Sequence, residues 1–497
     1  MKLKRLFLLG MAVSMATGCQ GPLSDVPGET PERPTATIPD SGVLTLRFLW
    51  PETAFRQIQV VPAAATTAVF TVTAASGDVL ASRTVQREGA AASISLELDP
   101  GDDYSVTVEL FDVRADLLAR GKSAPFRILR QRASTVELTL DAIISRFAGT
   151  GASGYDGDGG RAFEAKLRAP LGLTADQLGN LYIADTVNHV IRKVDVQGNI
   201  STMAGTGKAS ASSPALGDNA PAIEATLNRP SAVAVASNGD LIIADSWNRA
   251  IRILPAMSGE RYGQMLMTGR LHTIHYDGTP VDRVPHSVAV DAEGNVFFAE
   301  TSRIRRLTPS GKVELVAGTG TATVEIAGDG PALDVPLNVP DGLMVDPSGN
   351  LLFTEQKTQR VRMLCRVPGT YFGIPMVSGS VYAIAGKGVV TTDSLTLGDG
   401  KDGLEATFNT PRGLALDPQG NLYISDTNNQ RIRRLTPDRR ISTIAGNGEK
   451  SAIAATDVGD GGAAKLATFW NPVGLAVRGE MLYVTDNNNN RVRRIPL

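Results

Sequence analysis

Six copies of one unit fill most of this chain, and a unit repeated at such a length must bury its faces against its neighbours. The clearest copy runs Ala169-Pro170-Leu171-Gly172-Leu173, then Leu178-Gly179-Asn180-Leu181-Tyr182-Ile183-Ala184-Asp185, then Asn188-His189-Val190-Ile191-Arg192-Lys193. It returns as Pro411-Arg412-Gly413-Leu414-Ala415, Gly420-Asn421-Leu422-Tyr423-Ile424-Ser425-Asp426 and Asn429-Gln430-Arg431-Ile432-Arg433-Arg434. The opening prolines are Pro170, Pro230, Pro285, Pro340, Pro411 and Pro472, spaced 60, 55, 55, 71 and 61 residues apart. The copies are not identical. The third loses two residues around Glu300-Thr301-Ser302-Arg303, the fourth has Glu355 in place of the aspartate, and the sixth has Gly479-Glu480 in place of Gly-Asn.

The shared order of Pro, Gly-Asn, Asp and an Arg-rich strand over 143–497 resembles the NHL repeat family, and the resemblance implies a β-propeller. Each copy reads as four short strands, in the first near 171–175, 181–185, 190–194 and 200–204. The Gly-Asn pair supplies the left-handed conformations of a tight hairpin. Four-stranded blades repeated radially make a propeller. The fourth strand has its own signature, Ile200-Ser201-Thr202-Met203-Ala204-Gly205, repeated as Ile441-Ser442-Thr443-Ile444-Ala445-Gly446. The sixth copy ends at Leu497 after three strands, and a matching segment, Ile144-Ser145-Arg146-Phe147-Ala148-Gly149, stands in front of the first copy. The expectation is a six-bladed propeller whose N-terminal strand completes the last blade and leaves no open edge.

Ahead of the repeats, 42–142 alternates with period two. Leu44, Leu46, Phe48 and Trp50 form one run, Phe70 and Val72 a second, and Ile94, Leu96 and Leu98 a third. Tyr104, Val106, Val108 and Leu110 follow the turn Asp99-Pro100-Gly101-Asp102-Asp103, and Val136, Leu138 and Leu140 close the module. Short alternating strands punctuated by turns predict a small all-β sandwich. The stretch resembles a bacterial immunoglobulin-like or fibronectin-like spacer, and a stalk is its expected role. Residues 20–41 carry Pro22, Pro27, Pro31, Pro34 and Pro39 with few large apolar residues, which reads as an extended tether.

Residues 1–19 have a basic head (Lys2, Lys4, Arg5) and a short apolar run from Leu6 to Met15, the pattern of a secretory signal. Ala16-Thr17-Gly18-Cys19 resembles a bacterial lipobox. That resemblance implies that Cys19 becomes the first mature residue and carries lipid, and each buried methylene of its chains would add about 0.8 kcal/mol of anchoring. Gln20 after the cysteine favours the outer membrane, by resemblance to enteric sorting rules. The expected location is therefore the cell envelope, reached by export and held through the lipid alone. With Cys19 modified, Cys365 has no partner, so no intramolecular disulfide is expected. Lys plus Arg (49) balances Asp plus Glu (51), which leaves no field suited to nucleic acid.

Several patterns could carry chemistry. Asp185 with Arg192, Asp245 with Arg252, Asp426 with Arg433 and Asp486 with Arg493 keep one spacing, and a role shared among copies points to structure. A second repeated element, Gly157-Asp158-Gly159-Gly160, Gly217-Asp218-Asn219, Gly328-Asp329-Gly330, Gly398-Asp399-Gly400 and Gly459-Asp460-Gly461, precedes most copies. Asp156-Gly157-Asp158-Gly159 is similar to a calcium loop but lacks the downstream bidentate Glu, so a glycine-hinged turn is the preferred reading. The histidines are His189, His272, His275 and His286, and no zinc set or Ser-His-Asp set assembles from them. No catalytic residue, metal or cofactor is assigned.

Two faces remain as candidate sites. The residue after each opening proline should stand at the mouth of the central channel. These are Leu171, Ser231, His286, Asp341, Arg412 and Val473, and their chemistry varies where the rest repeats. Ser231, His286, Asp341 and Arg412 fall on consecutive copies and could hold one polar or anionic group, with Arg412 as the clamp. Matching insertions at Ser258–Gly263 and Pro368–Gly373 predict hairpins on the opposite face, where Tyr262, Tyr371 and Phe372 would offer a protein contact. The expected function is a binding or scaffold module at the cell surface, for an unidentified protein or small polar ligand. A metal-assisted hydrolase or lyase of the lactonase-like propeller type and a purely structural envelope component are the alternatives.

Overall fold

The computed structural model describes residues 12–14, 42–49, 65–86, 91–98, 101–112, 115–128, 141–209, 217–274, 284–322, 328–390, 397–451 and 458–497. They fall into two compact units, Met1–Ile143 with Pro496–Leu497, and Ile144–Ile495. Cys19, the proline-rich segment 20–41, His275 and the closing strand around Val136 lie outside the described residues. Among the described residues no α-helix is present, and no helix is long and apolar enough to cross a membrane.

The first unit holds two antiparallel sheets. In the larger, the order is Val79–Gln86, Thr67–Thr73, Gly101–Phe111, Leu117–Lys122 and Asp141–Ala142, with Phe126–Ile128 also paired to Gly101–Phe111. The period-two pattern sets its faces. Ala68, Phe70 and Val72 are buried, as are Val106, Val108 and Leu110 on the paired strand, while Thr67, Val69 and Thr71 are partly exposed. In the smaller sheet Gly42–Leu49 lies between Ala91–Leu98 and Ala12–Ser14. Part of the apolar run Leu6 to Met15 forms an edge strand here, with Val13 opposite Leu46.

Among the described residues the second unit holds six antiparallel sheets of four or five strands, here numbered in chain order by their innermost strand, and two two-stranded hairpins. The first orders its strands Leu173–Ala175, Leu181–Asp185, Val190–Val194 and Ile200–Ala204. The sheets beginning at Ala232, Ser287, Pro340 and Pro411 repeat that order, the fourth with an added edge pair, Gly330–Pro331. In the sixth sheet the fourth strand is Ser145–Ala148, which pairs antiparallel with Arg491–Pro496, Ser145 opposite Arg494. The innermost strand of each sheet lies against that of the next, and the sixth against the first.

Sheet stacking explains the apolar runs. Leu181–Asp185, Leu241–Asp245, Val296–Glu300, Leu351–Glu355 and Leu422–Asp426 are buried at every residue, because a second strand has a neighbouring sheet on both faces. Ile242, Ile251 and Ile253 of the second sheet meet Val288, Val296 and Phe298 of the third. Met363 and Ile384 of the fourth meet Phe408, Leu414 and Ile424 of the fifth. Each such side chain contributes about 1.5–3 kcal/mol by leaving water.

The repeated carboxylate and arginine form buried clusters. Arg192, Arg252, Arg433 and Arg493 are fully buried and lie 3.6, 3.3, 3.2 and 3.4 Å from Asp185, Asp245, Asp426 and Asp486. Each aspartate also ties the segment before its opening proline to the turn that follows it, accepting a backbone N–H from the first and a side-chain amide from the second. Asp426 accepts from the Asn409 backbone N–H at 2.8 Å and from the Asn429 amide. The Gly-Asp-Gly elements complete these clusters. Asp158, Asp218, Asp399 and Asp460 accept from the same arginines at 2.6, 2.9, 2.7 and 2.8 Å. The glycine-hinged turn therefore has a second task, to bring an outer carboxylate onto a buried guanidinium. In the calcium-like stretch Asp158 is the residue that reaches Arg192, while Asp156 pairs with Lys166 at 2.8 Å on the surface.

Candidate functional site

The inner edges of the six sheets enclose a cavity of about 290 Å³, lined by residues 172–175, 231–235, 286–290, 341–345, 412–416 and 473–477. These innermost strands have a hydrogen-bonded neighbour on one side only, so each turns one backbone edge toward the cavity. Several junctions are tight. Gly413 packs against the Val473 carbonyl, and a Cβ there would lie 1.9 Å from that oxygen. Hydroxyls tie the same junctions, from Thr354 to the Arg412 carbonyl at 3.0 Å, Ser425 to Val473 at 2.6 Å and Thr485 to Leu171 at 2.7 Å.

The residue preceding each opening proline takes the left-handed conformation in five of the copies, at Ala169, Arg229, Val339, Thr410 and Asn471. A non-glycine residue there costs on the order of 1 kcal/mol or more, and its surroundings must hold it. At four junctions the previous sheet supplies the hold. His189 Nδ1 accepts from the Arg229 N–H at 3.1 Å, Gln359 from Thr410 at 2.6 Å, Gln430 from Asn471 at 2.7 Å and Asn490 from Ala169 at 2.9 Å. The repeat pattern does not single out this latch, although a His, Gln or Asn at the end of four of these turns is its visible signal.

Ser231, His286, Asp341 and Arg412 all line the cavity. Arg412 Nε donates to Asp341 Oδ2 at 3.1 Å, and the Gln356 amide donates to the same oxygen at 2.7 Å. The terminal amino groups of Arg412 make no hydrogen bond among the described residues, and its side chain is 25% exposed. His286 likewise has no side-chain hydrogen bond among them. Burial holds its imidazole below the usual value, the Asp341 carboxylate opposing that shift and the Arg412 guanidinium reinforcing it. Ser231 departs from the expected role. Its hydroxyl meets Ser246 at 2.5 Å and donates to the His286 carbonyl at 2.8 Å, so it braces the mouth from the side.

The hairpins form as expected, with Gly259–Arg261 paired to Gln264–Leu266 and Gly369–Tyr371 paired to Ile374–Met376. Tyr262 does not offer a contact surface. It is buried, its backbone N–H bonds to the Pro309 carbonyl at 2.7 Å and its hydroxyl to the Gly294 carbonyl at 3.0 Å. Tyr371 and Phe372 are half-buried against the core between the fourth and fifth sheets, and Arg439 of the fifth bonds to the Phe372 carbonyl at 3.3 Å. Both hairpins lean onto the following sheet. The exposed apolar groups there are Met257, Met265 and Met267 on one hairpin region and Val367 and Val377 on the other.

The other singled-out residues are engaged in structure. His272 is buried and accepts the Met267 N–H at 2.9 Å, as the Tyr382 hydroxyl accepts from Val377 at 3.1 Å in the fourth sheet. The Cys365 thiol is buried, bonds to the Val367 carbonyl, and is pushed up by burial. Among the described residues no group of three His, Cys, Asp or Glu is placed to hold a metal ion.

The family model described as the teneurin NHL domain matches residues 77–220 and 284–452. The chain belongs to the teneurin NHL domain family. A further model, the NHL repeat, matches residues 227–254, the stretch that carries Ser231, Asp245 and Arg252. The NHL relatives include Teneurin-3 of Danio rerio, 27% identical over 375 residues, and NHL repeat-containing protein 2 of Homo sapiens, 26% identical over 359 residues. These matches cover 66% and 67% of this chain but only 14% and 47% of the relatives. Among solved structures, an auxiliary nutrient binding protein from Bacteroides ovatus superposes with a TM-score of 0.51 at 14% identity, covering 92% of this chain and 94% of that one. The ring of sheets is thus an NHL-type β-propeller.

Proposed function

We propose that this NHL propeller is a binding module for a small anionic or polar ligand, held at the cell envelope by lipid on Cys19. In this reading the six sheets are six blades closed by Ser145–Ala148, residues 42–142 form an immunoglobulin-like spacer, and 20–41 is a tether. The observation that carries the reading is Arg412. One nitrogen of its guanidinium is fixed by Asp341, which leaves the terminal fork preorganised and unpaired beside His286 in a closed ring. The name of the Bacteroides ovatus neighbour agrees with a binding role, and that likeness speaks to the fold.

Acetate and inorganic phosphate are suitable probes for titration calorimetry. Saturable binding of either, weakened about tenfold or more in Arg412→Ala, is the expected result. Equal binding by the variant, or no binding of either anion by the wild type, overturns the site. The anchor is tested separately: Cys19→Ser should release the protein from membranes in detergent-free buffer, and continued membrane fractionation would refute it.

A further inference from the structure

The mouth carries one asymmetric feature that its fixed cluster does not explain. Trp247 is 60% exposed, on the turn Ser246–Asn248 that joins the second and third strands of the second sheet. That turn belongs to the mouth face. The Ser246 hydroxyl bonds to the Pro285 carbonyl at 2.7 Å and meets Ser231, whose own hydroxyl reaches the His286 carbonyl. The indole is also held in place. Its backbone N–H bonds to the Asn228 carbonyl at 3.1 Å, and the Arg229 guanidinium stacks on the ring 4.0 Å from its centroid. At the equivalent turn position four of the other sheets place Val187, Lys357, Asn428 and Asn488, and the shortened turn of the third has no equivalent. An exposed aromatic plane thus stands on one side of the mouth, and exposed amides, Asn428 and Asn488, on the fifth and sixth sheets.

We propose that the mouth face binds a carboxylated sugar, a uronic acid at the end of a saccharide. This rests on the anion reading of Arg412 and adds the ligand class. The C–H face of a pyranose stacks on Trp247, its carboxylate takes the free fork of Arg412, and its hydroxyls bond to His286, the asparagine amides and the inward backbone edges. The cavity, about 290 Å³, has the volume of about ten waters. That is room for one polar ring. The backbone edges need donors and acceptors all around, which a polyhydroxylated ring supplies and an alkyl chain does not.

The test is titration calorimetry of the full chain with glucuronate, glucose, acetate and the tripeptide Gly-Gly-Gly. Wild type should bind glucuronate at least about tenfold tighter than each of the other three. Trp247→Ala, an exposed position, should lose about tenfold for glucuronate and keep its acetate affinity, while Arg412→Ala loses both. Acetate binding that depends on Arg412, with glucuronate no tighter than acetate, overturns the sugar-acid inference and leaves the anion site standing. Tighter binding of the tripeptide than of glucuronate also overturns it. Loss of all Arg412-dependent anion binding overturns the underlying reading as well. Unchanged glucuronate affinity in Trp247→Ala removes the stacking platform and with it this assignment.

Discussion

Two arginines in the fifth sheet, Arg433 and Arg412, lie in the same repeat and face opposite fates. Arg433 is fully buried, bonded to Asp426, Asp399 and the Leu397 carbonyl, and its counterpart recurs as Arg192, Arg252, Arg362 and Arg493. Arg412 follows the opening proline, is partly exposed, holds one partner, and has Leu171, Ser231, His286, Asp341 and Val473 as its counterparts. What five of the six sheets repeat answers to a demand each of them makes, the satisfaction of a turn and a buried guanidinium. What differs from sheet to sheet answers to something that is not sixfold, and a ligand in a central cavity is such a thing.

The largest effect expected from this contrast is on stability. Arg433→Ala removes one member of a buried charge cluster and leaves Asp426 without its guanidinium, which should cost about 3–5 kcal/mol. Arg412→Ala removes a partly exposed pair and should cost no more than about 1 kcal/mol. Urea unfolding of the two variants measures both. Equal losses would erase the distinction between the repeated and the variable arginine.

A second, smaller effect lies in the pH dependence of the buried clusters. Burial pushes Asp185 up to about 7 and Asp245 up to about 6, against the charges of Arg192 and Arg252 and the hydrogen bonds of Asn188, Asn248 and the backbone. The folded chain then keeps protons that the unfolded chain releases near pH 4, so this contribution to stability is complete below pH 4 and is lost as pH rises toward 7. Glu314, held down near 2 by Arg306 and Lys312, acts with the opposite sign at lower pH. The difference in urea midpoint between wild type and Asp185→Asn isolates the effect. Wild type should lose stability relative to the variant between pH 4.5 and 7.5 (~3 pH units), and a constant difference would sink the account.

Much of the fold is legible in the amino-acid sequence. The Gly-Asn turns and the apolar runs bounded by Asp predict the second strands, Leu181–Asp185 among them, because hairpin chemistry and burial on both faces act locally. The pairing of Ser145–Ala148 with Arg491–Pro496 follows from a strand signature displaced to the front of the repeats. Asp158 and its equivalents read only as turns, although Asp158 to Arg192, Asp218 to Arg252 and Asp399 to Arg433 keep one separation. A constant separation between opposite charges is the signal that reveals the pairing. Tyr262 misleads because an insertion suggests projection, whereas Gly263 lies against Gly311 closely enough for the hairpin to fold onto the third sheet. Trp247 escapes a reading of the repeats because a single exposed aromatic breaks no pattern, and its significance appears only once Ser246 is seen bonded to the mouth.

The smallest effect tests whether the mouth is held by the latches that the repeats share. His189 occupies the latch position between the first and second sheets with the left-handed backbone, φ 58°, that Gln359 and Gln430 adopt at φ 55° and 54° in theirs. Its Nδ1 must be unprotonated to accept from Arg229, the residue stacked on Trp247. Burial, with the nearby Arg229 and Arg168 charges, already holds the imidazole below its usual value of 6.5. The stability it contributes is therefore present above pH 6.5 and is lost as pH falls through the lowered value, where the ring turns a second donor toward an N–H. Loss of one such bond is worth about 1 kcal/mol. His189→Gln keeps the acceptor at every pH and copies two sister junctions. The variant should match wild type at pH 7.5 and exceed it by about 1 kcal/mol in urea unfolding at pH 5. Superimposable profiles from pH 5 to 7.5 would mean that the four latches are coincident contacts, and that the strained residues before the prolines are held by the buried carboxylates alone.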